Sequence, residues 1–480
     1  MTLKAFIAKK QKGTVPQTVP LMAIAEANFK KWRAGCPART KTWLRASGFQ
    51  AKPGTTSLMA GRNGELERVF IGIPNSVKPS SGSQSAIDDG ALWAFASASA
   101  SLPKGSYSLS GPVSKTLAAQ AALGWALGSY RFDRYVTKAK SGARLVFPEK
   151  ADQKLVENAA LATFLVRDLI NTPAGDMGPP DLAAAARTLA REFGAKVSVT
   201  TGAQLLKKNY PAIHAVGRAS DKAPRLIDLN WRRGNHKKLP RVSICGKGVC
   251  FDTGGLDLKS SAGMKMMKKD MGGAAQALGL ARMIMAAKLP VQLRVLIPAV
   301  ENSVSGNAYH PMDVIKTRKG TMVEVGNTDA EGRIVLADAL DAACTDSPDL
   351  LIDLATLTGA ARVALGTGIG ALFCNDDQLA EDTLAAGMAT QDPLWRLPLW
   401  QPYREKLSSA IADINNISPG GYGGAITAAL FLETFVAKDT PWIHLDFMGW
   451  NDKGRPGRSE GGEAQGMRAL FAMIVKRFGS

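Results

Sequence analysis

Apolar positions recur at two periods along the 480 residues, and their arrangement divides the chain in two. Up to about residue 150, strand-like runs such as Arg68 to Ile73 alternate with Ala-rich helical ones, Ala91 to Ala100 and Leu117 to Leu127. Gly, Ser and Pro punctuate them. A boundary is expected at Phe147-Pro148-Glu149-Lys150. Residues 151–171 then hold a helical period and predict a connecting helix, which Asn171-Thr172-Pro173 ends and after which Pro179-Pro180-Asp181 opens another. From Arg241 onward, strands are predicted at Arg241 to Cys245, Val291 to Ala299, Leu350 to Leu354 and Trp442 to Phe447. Helices are predicted between and after them, at Asp270 to Ala287, Ile334 to Ala343, Ile426 to Phe435 and Glu463 to Phe478. Such alternation implies an α/β fold: an N-terminal α/β domain over 1–150, and over 151–480 a larger one whose central mixed sheet is covered by helices. Ligands are expected near the strand ends.

Composition narrows the class. With 45% hydrophobic and 21% charged residues the chain is globular, not disordered. No run approaches the 18 apolar residues of a membrane span. The opening MTLKAFIAKKQKG has too short an apolar core for a secretory signal. Five cysteines without a C-x-x-C pair fit a reducing compartment, so a cytoplasmic location is expected. The alternative is an organellar transit peptide, because residues 1–50 carry ten Lys/Arg against a single acid, Glu26; the preference for Lys over Arg and the scarcity of Ser argue against it. The net charge of +19 is uneven, with +15 in residues 1–150 and +4 in the remainder. Such a basic third could steer nucleic acid or other acidic partners. Without an aromatic-interleaved patch, a solvated basic surface is the favoured reading.

The strongest chemical signal is Asn327 to Arg333, NTDAEGR, between a predicted strand at Thr321 to Val325 and the helix from Ile334. If the segment stays extended, Asp329, Glu331 and Arg333 at spacing two project to one side. Gly332 would let backbone approach whatever they hold. Such a group suits metal, phosphate or catalysis; a solvated turn is the alternative. Three further patches join it. Gly246 to Gly255, GKGVCFDTGG, follows a strand but lacks the spacing of a phosphate loop. Lys259 stands alone in LDLKS, and Asp270 precedes small residues at a helix start, where it could serve as an N-cap. Four carboxylates, two lysines and an arginine at predicted turns suit two divalent cations, whose mutual repulsion bridging carboxylates screen. Four histidines and no H-E-x-x-H argue against a single-zinc histidine site. A two-metal phosphoesterase remains the alternative reading of the carboxylates alone.

Together, in order and spacing, NTDAEGR, GKGxxFDxGG, Lys259 and DMGGAA resemble the leucyl (cytosol) aminopeptidase family, from about residue 160 to the C-terminus. The resemblance implies a metal-dependent peptidase that releases N-terminal residues from peptides by means of a metal-activated water. It implies one metal, zinc or manganese, held by Lys247, Asp252, Asp270 and Glu331, and a second held by Asp252, Asp329 and Glu331. A lysine ligand must be neutral, which an adjacent dication makes feasible. Lys259 would stabilise the oxyanion, and Arg333 would hold a bicarbonate acting as general base. The substrate's free α-amine would ligate a metal. Met267, Thr356 and Gly359 match positions lining the pocket for the N-terminal side chain, although all three could equally be packing residues. Near the end, where the family often has small residues after a His-Leu-Asp run, His444-Leu445-Asp446 is followed by Phe447-Met448-Gly449-Trp450; Met448, grouped with the pocket, and Trp450 are bulky and put a leucine preference in doubt. Asn451 through Gly462 reads as a surface loop near the cleft. The family forms hexamers, so a homohexamer is expected.

Overall fold

The computed structural model describes residues 3, 7–8, 18–75, 90–137, 142–234 and 238–479. It separates into two compact units: Met1–Phe164 with Asp452–Glu460, and Leu165–Asn451 with Gly461–Ser480. The helix Gln153–Asn171 spans the change from one unit to the other. Most of the stretch read as a loop near the cleft thus belongs to the first unit, where the Arg458 guanidinium lies 4.0 Å above the Trp93 ring. The transit-peptide alternative falls on residues 1–50, of which 1–2, 4–6 and 9–17 lie outside the described residues.

In the first unit six strands lie in the order β1 (Ile7–Ala8), β6 (Arg144–Val146), β5 (Ser106–Ser110), β2 (Val19–Ala25), β4 (Leu66–Ile73), β3 (Thr56–Ala60). All pairs are parallel except the β3–β4 hairpin. The Ala-rich helices Ala91–Ser101 and Lys115–Ser129 present small faces to each other and enclose Phe95 and Trp125, both fully buried.

The second unit is built on a nine-stranded sheet. In chain order its strands are β7 (Lys196–Thr201), β8 (Arg225–Arg232), β9 (Arg241–Gly246), β10 (Gly248–Asp252), β11 (Gln292–Asn302), β14 (Leu350–Ala355), β15 (Gly370–Cys374), β16 (Leu394–Arg396) and β18 (Trp442–Asp446). The short strands β12 (Val314–Lys316), β13 (Met322–Glu324) and β17 (Ile414–Asn415) form a separate small sheet. The large sheet runs β16-β15-β18-β14-β9-β11-β8-β7, with β10 beside β11. Its centre, β18, β14, β9 and β11, is parallel, while β15, β8 and β7 join antiparallel, so the sheet is mixed as expected. Every residue of β14 and β18 is buried, the mark of strands covered on both faces. The helix Glu331–Cys344 buries Ile334, Val335, Leu336 and Leu340 against this sheet. Each fully buried side chain of this kind contributes roughly 1.5–3 kcal/mol.

Predicted elements recur with small shifts. The helix expected from Glu463 begins at Met467, because Gly461–Gly462 pairs with Trp450–Asn451 and Gly466, at φ +76°, forms the turn into the helix. Parallel strands place their carboxyl ends on one edge, where open α/β sheets bind ligands. Here that edge carries Lys247 after β9, Asp252 at the end of β10, Asn302 at the end of β11, Thr356 after β14 and Asp446 at the end of β18.

Candidate metal centre

Lys247 occupies the single-residue break between β9 and β10. Its backbone is fixed by hydrogen bonds from its N–H to Leu354 O (3.0 Å) and from Ala274 N–H to its carbonyl (2.8 Å). The buried side chain places Nζ 2.7 Å from Asp270 Oδ2 and 2.8 Å from Glu331 Oε1. Two glycines make this crowding feasible. A Cβ on Gly332 would lie 2.5 Å from Lys247 Cε, and one on Gly273 would lie 2.0 Å from Leu354 O. The small residues around the acids therefore have a steric reason.

Asp252 accepts hydrogen bonds at Oδ1 from Asn302 Nδ2 and Gly254 N–H, both 2.9 Å, and faces Lys259 Nζ at 2.9 Å through Oδ2. Lys259 also contacts Asp329 Oδ1, bridging the two acids. Carboxylate oxygens of Asp252, Asp329 and Glu331 lie within 4.8 Å of one another. The premise of an extended NTDAEGR is corrected here: the helix begins at Glu331, so only Asp329 lies in the turn and Glu331 and Arg333 occupy the first helical turn. They converge because helix and loop meet at one edge, not because alternate residues share a face. Asp270 is likewise not an N-cap. It lies in the 3-10 turn Met267–Met271, and its Oδ1 accepts from Thr356 Oγ1 at 2.8 Å.

The electrostatics record an excess of buried acid. Burial and the nearby Asp252 raise Asp329 to about 6 and push Glu331 well above the ordinary carboxyl range. Burial alone would lower Lys247, but Asp270, Glu331 and Asp252 outweigh it and hold its ammonium firmly protonated. Lys259, lowered by burial and raised more strongly by Asp252 and Asp329, reaches about 12. Lys247 lies close to Asp270 Oδ2 and Glu331 Oε1 as an ion pair, yet neither oxygen receives an aligned hydrogen bond; Glu331 Oε2 has no donor either. Buried carboxylate oxygens without donors are costly unless a cation neutralises them. Four carboxylates with an amine beside them form a hard donor set that fits divalent metal.

These groups border a cleft of about 310 Å³, whose wall includes Lys247, Asp252, Lys259, Asp270, Asp329 and Arg333. Met267, Thr356 and Gly359 line it as well, whereas Met448 is buried and does not reach it. Arg333 is buried; its Nη1 donates to Asn416 O at 2.7 Å while Nε has no acceptor, and burial lowers its guanidinium to about 10. A larger cavity, about 890 Å³, lies in the first unit between the helices around Trp32 and Arg39 and the strands bearing Met59 and Phe70. Its one acid, Glu67, is paired with Arg39 at 2.7 Å, so it offers no free carboxylate.

Several residues of the edge escape sequence reasoning. Asp446 accepts from Leu357 N–H (2.9 Å), Thr358 N–H (3.1 Å) and Thr358 Oγ1 (2.6 Å), fixing the loop that starts the helix Gly359–Leu365. His444, two residues earlier, is fully buried and pairs through Nδ1 with Asp353 Oδ1 at 2.6 Å, so it stands in the core. Lys269 and Arg362 also line the cleft. Burial lowers Lys269 to about 8 despite Asp270 beside it. An Asp ending a buried strand and a Lys doubled in MKKD are the only sequence hints of these roles.

Residues 164–471 match the catalytic domain of the cytosol aminopeptidase family, and residues 19–148 match the N-terminal domain of M17 aminopeptidases. The chain belongs to the cytosol aminopeptidase family. Among its relatives, the probable cytosol aminopeptidase of Rhizobium meliloti is 43% identical over 348 residues, 69% of each chain. That of Roseiflexus castenholzii is 43% identical over 382 residues, covering 76% of this chain and 78% of the other. The crystal structure of cytosol aminopeptidase from Coxiella burnetii superposes with a TM-score of 0.91 at 44% identity, over 99% of this chain and 100% of that one. The bottromycin maturation enzyme BotP in complex with Mn gives 0.84 at 34% identity, over 96% and 99%.

Proposed function

We propose that two divalent cations, held by Lys247, Asp252, Asp270, Asp329 and Glu331, carry the aminopeptidase reaction of this family member. The observation that carries this reading is the cluster of buried Asp252 and Glu331 with the exposed Asp329, whose oxygens lie within 4.8 Å of one another and in which neither Glu331 oxygen has an aligned donor. Membership of a metal-dependent aminopeptidase family and the Mn-bound relative support it. When bound, such a cation pair supplies the Lewis acidity that makes water nucleophilic near neutral pH. Lys247 then acts as a neutral donor, so its proton must leave as metal enters. Zinc and manganese both suit the donor set.

The protein's own groups complete the chemistry. Lys259 reaches into the cleft from beside Asp252 and Asp329, where its ammonium can donate to the scissile carbonyl oxygen as negative charge grows there. Arg333, with Nε unpartnered in the same wall, suits a small anion such as bicarbonate that takes the proton from water. The experiment is hydrolysis of a peptide amide with a free N-terminus beside its N-acetylated twin, using metal-loaded protein. Release of the first residue from the free peptide alone is expected; equal cleavage of both contradicts an exopeptidase.

A homohexamer is part of the same reading, by resemblance to the family. Light scattering at moderate salt should report about six chains, each carrying +19. An active monomer at every salt concentration would confine the resemblance to the subunit. Among the described residues no helix is long and apolar enough to cross a membrane. With the name its relatives bear, we favour a cytoplasmic location, which cell fractionation would contradict by recovering the protein in organelles.

A further inference from the structure

Besides Arg333, two cations of the cleft wall, Lys269 and Arg362, form no ion pair among the described residues. Lys269, in the turn Met267–Met271, has a side chain only 1% exposed, and it shares the cleft wall with Met267, Thr356 and Gly359. Its neighbour Lys268 is engaged elsewhere, donating to Asn171 O at 2.7 Å with its ammonium 5.5 Å from the centre of the Trp450 ring. Among the described residues, no hydrogen bond or ion pair involves the Lys269 ammonium.

The acids near it are committed. Asp270 takes Thr356 Oγ1 and Lys247 Nζ, and Asp446 takes the two N–H groups and the hydroxyl at Leu357 and Thr358. Arg362, on the helix Gly359–Leu365, is the second cation of this wall. Its Nη2 lies 3.5 Å from where a Gly359 side chain would begin, so the guanidinium fills the space that Gly359 leaves. Among the described residues it too has no ion pair. A buried ammonium without a counter-charge is costly, and it is best relieved by a ligand that brings the anion. A leucine side chain cannot do so; it would leave the enclosed Lys269 unpaired.

We propose that Lys269, seconded by Arg362, makes the side-chain pocket of this aminopeptidase a carboxylate receptor, so that peptides beginning with glutamate or aspartate are favoured substrates. The inference rests on reading this cleft as the peptidase site. It assigns specificity to a residue that touches substrate, apart from the groups that hold metal or activate water. Glutamate against glutamine isolates the effect, because the two side chains share size and shape and differ in charge. Hydrogen bonds to charged groups carry discrimination of about 10- to 100-fold.

The test is kcat/KM for Glu-, Gln- and Leu-p-nitroanilide with the metal-loaded full chain, beside Lys269→Met and Arg362→Gln. A Glu/Gln ratio of about 10–100 is expected in the native protein, falling to about 1 in Lys269→Met and in between for Arg362→Gln. Calorimetry with free L-glutamate and L-glutamine should show the same preference in binding alone. A native ratio near 1 with good turnover of the leucyl substrate overturns the inference and leaves the peptidase reading standing. A glutamate preference that persists in Lys269→Met overturns the assignment to Lys269. Failure of all three substrates with metal bound overturns the peptidase reading instead. Should Lys269→Met not fold, the native ratio and Arg362→Gln decide.

Discussion

Glu331→Ala is expected to lose bound metal and activity together. Its two oxygens are buried beside Lys247 and near Asp252, and they have no aligned donor of their own. Removing them would take away a proposed metal ligand and leave the Lys247 ammonium without its second carboxylate partner. A lost oxyanion donor by itself costs about 10²–10³ in turnover. Loss of that ligand should cost more than about 10³, because it would remove the means of activating water as well. Metal analysis and kinetics on the same folded preparation check this, with circular dichroism confirming the fold. Normal metal content with normal turnover would remove Glu331 from the centre. Acid should mimic the substitution in part. Asp329, raised to about 6, and Glu331, raised well above the ordinary carboxyl range, both bind protons as pH falls, so metal affinity should weaken as pH falls through about 6.

Lys259→Ala separates catalysis from metal binding. The ammonium bridges Asp252 and Asp329 and remains protonated at neutral pH, with its value pushed up to about 12. Its removal should lower kcat by about 10²–10³ while metal content stays normal. Loss of metal in this variant would show that the bridge to the two acids organises the ligands and that Lys259 is not chiefly an electrophile. Arg333→Ala should cost less, since water can partly replace an anchored anion. Equal losses in the two variants would contradict that ranking.

Much of the site was legible because its acids sit in short motifs at a strand end, at turns and at a helix start. Asp252, Asp270, Asp329 and Glu331 were grouped by the order and spacing of their motifs at predicted turns. How they are presented was not legible. Spacing two in NTDAEGR suggested an extended segment, whereas capture of Glu331 into the first helical turn is decided by packing of Ile334 to Leu340 on the sheet. Asp270 looked like a cap because its contacts to Thr356 and Lys247 join elements more than 20 residues away. Met448 was grouped with the pocket by position, but the turn after β18 buries it away from the cleft. Lys269 was invisible for the opposite reason. A lysine in a basic run reads as solvated, and only the tertiary fold shows it enclosed. The fold class was clearer than any of these, since alternating apolar runs report buried parallel strands without reference to partners.

The central claim is a two-cation centre built from these five residues. The most direct test is titration of metal-stripped protein with Mn²⁺, following bound metal and hydrolysis of a peptide amide together. Bound metal should level off at two ions per chain, with activity saturating as the second binds. Full activity in protein shown to be metal-free, or with the carboxylate cluster intact and a single ion bound, would contradict it.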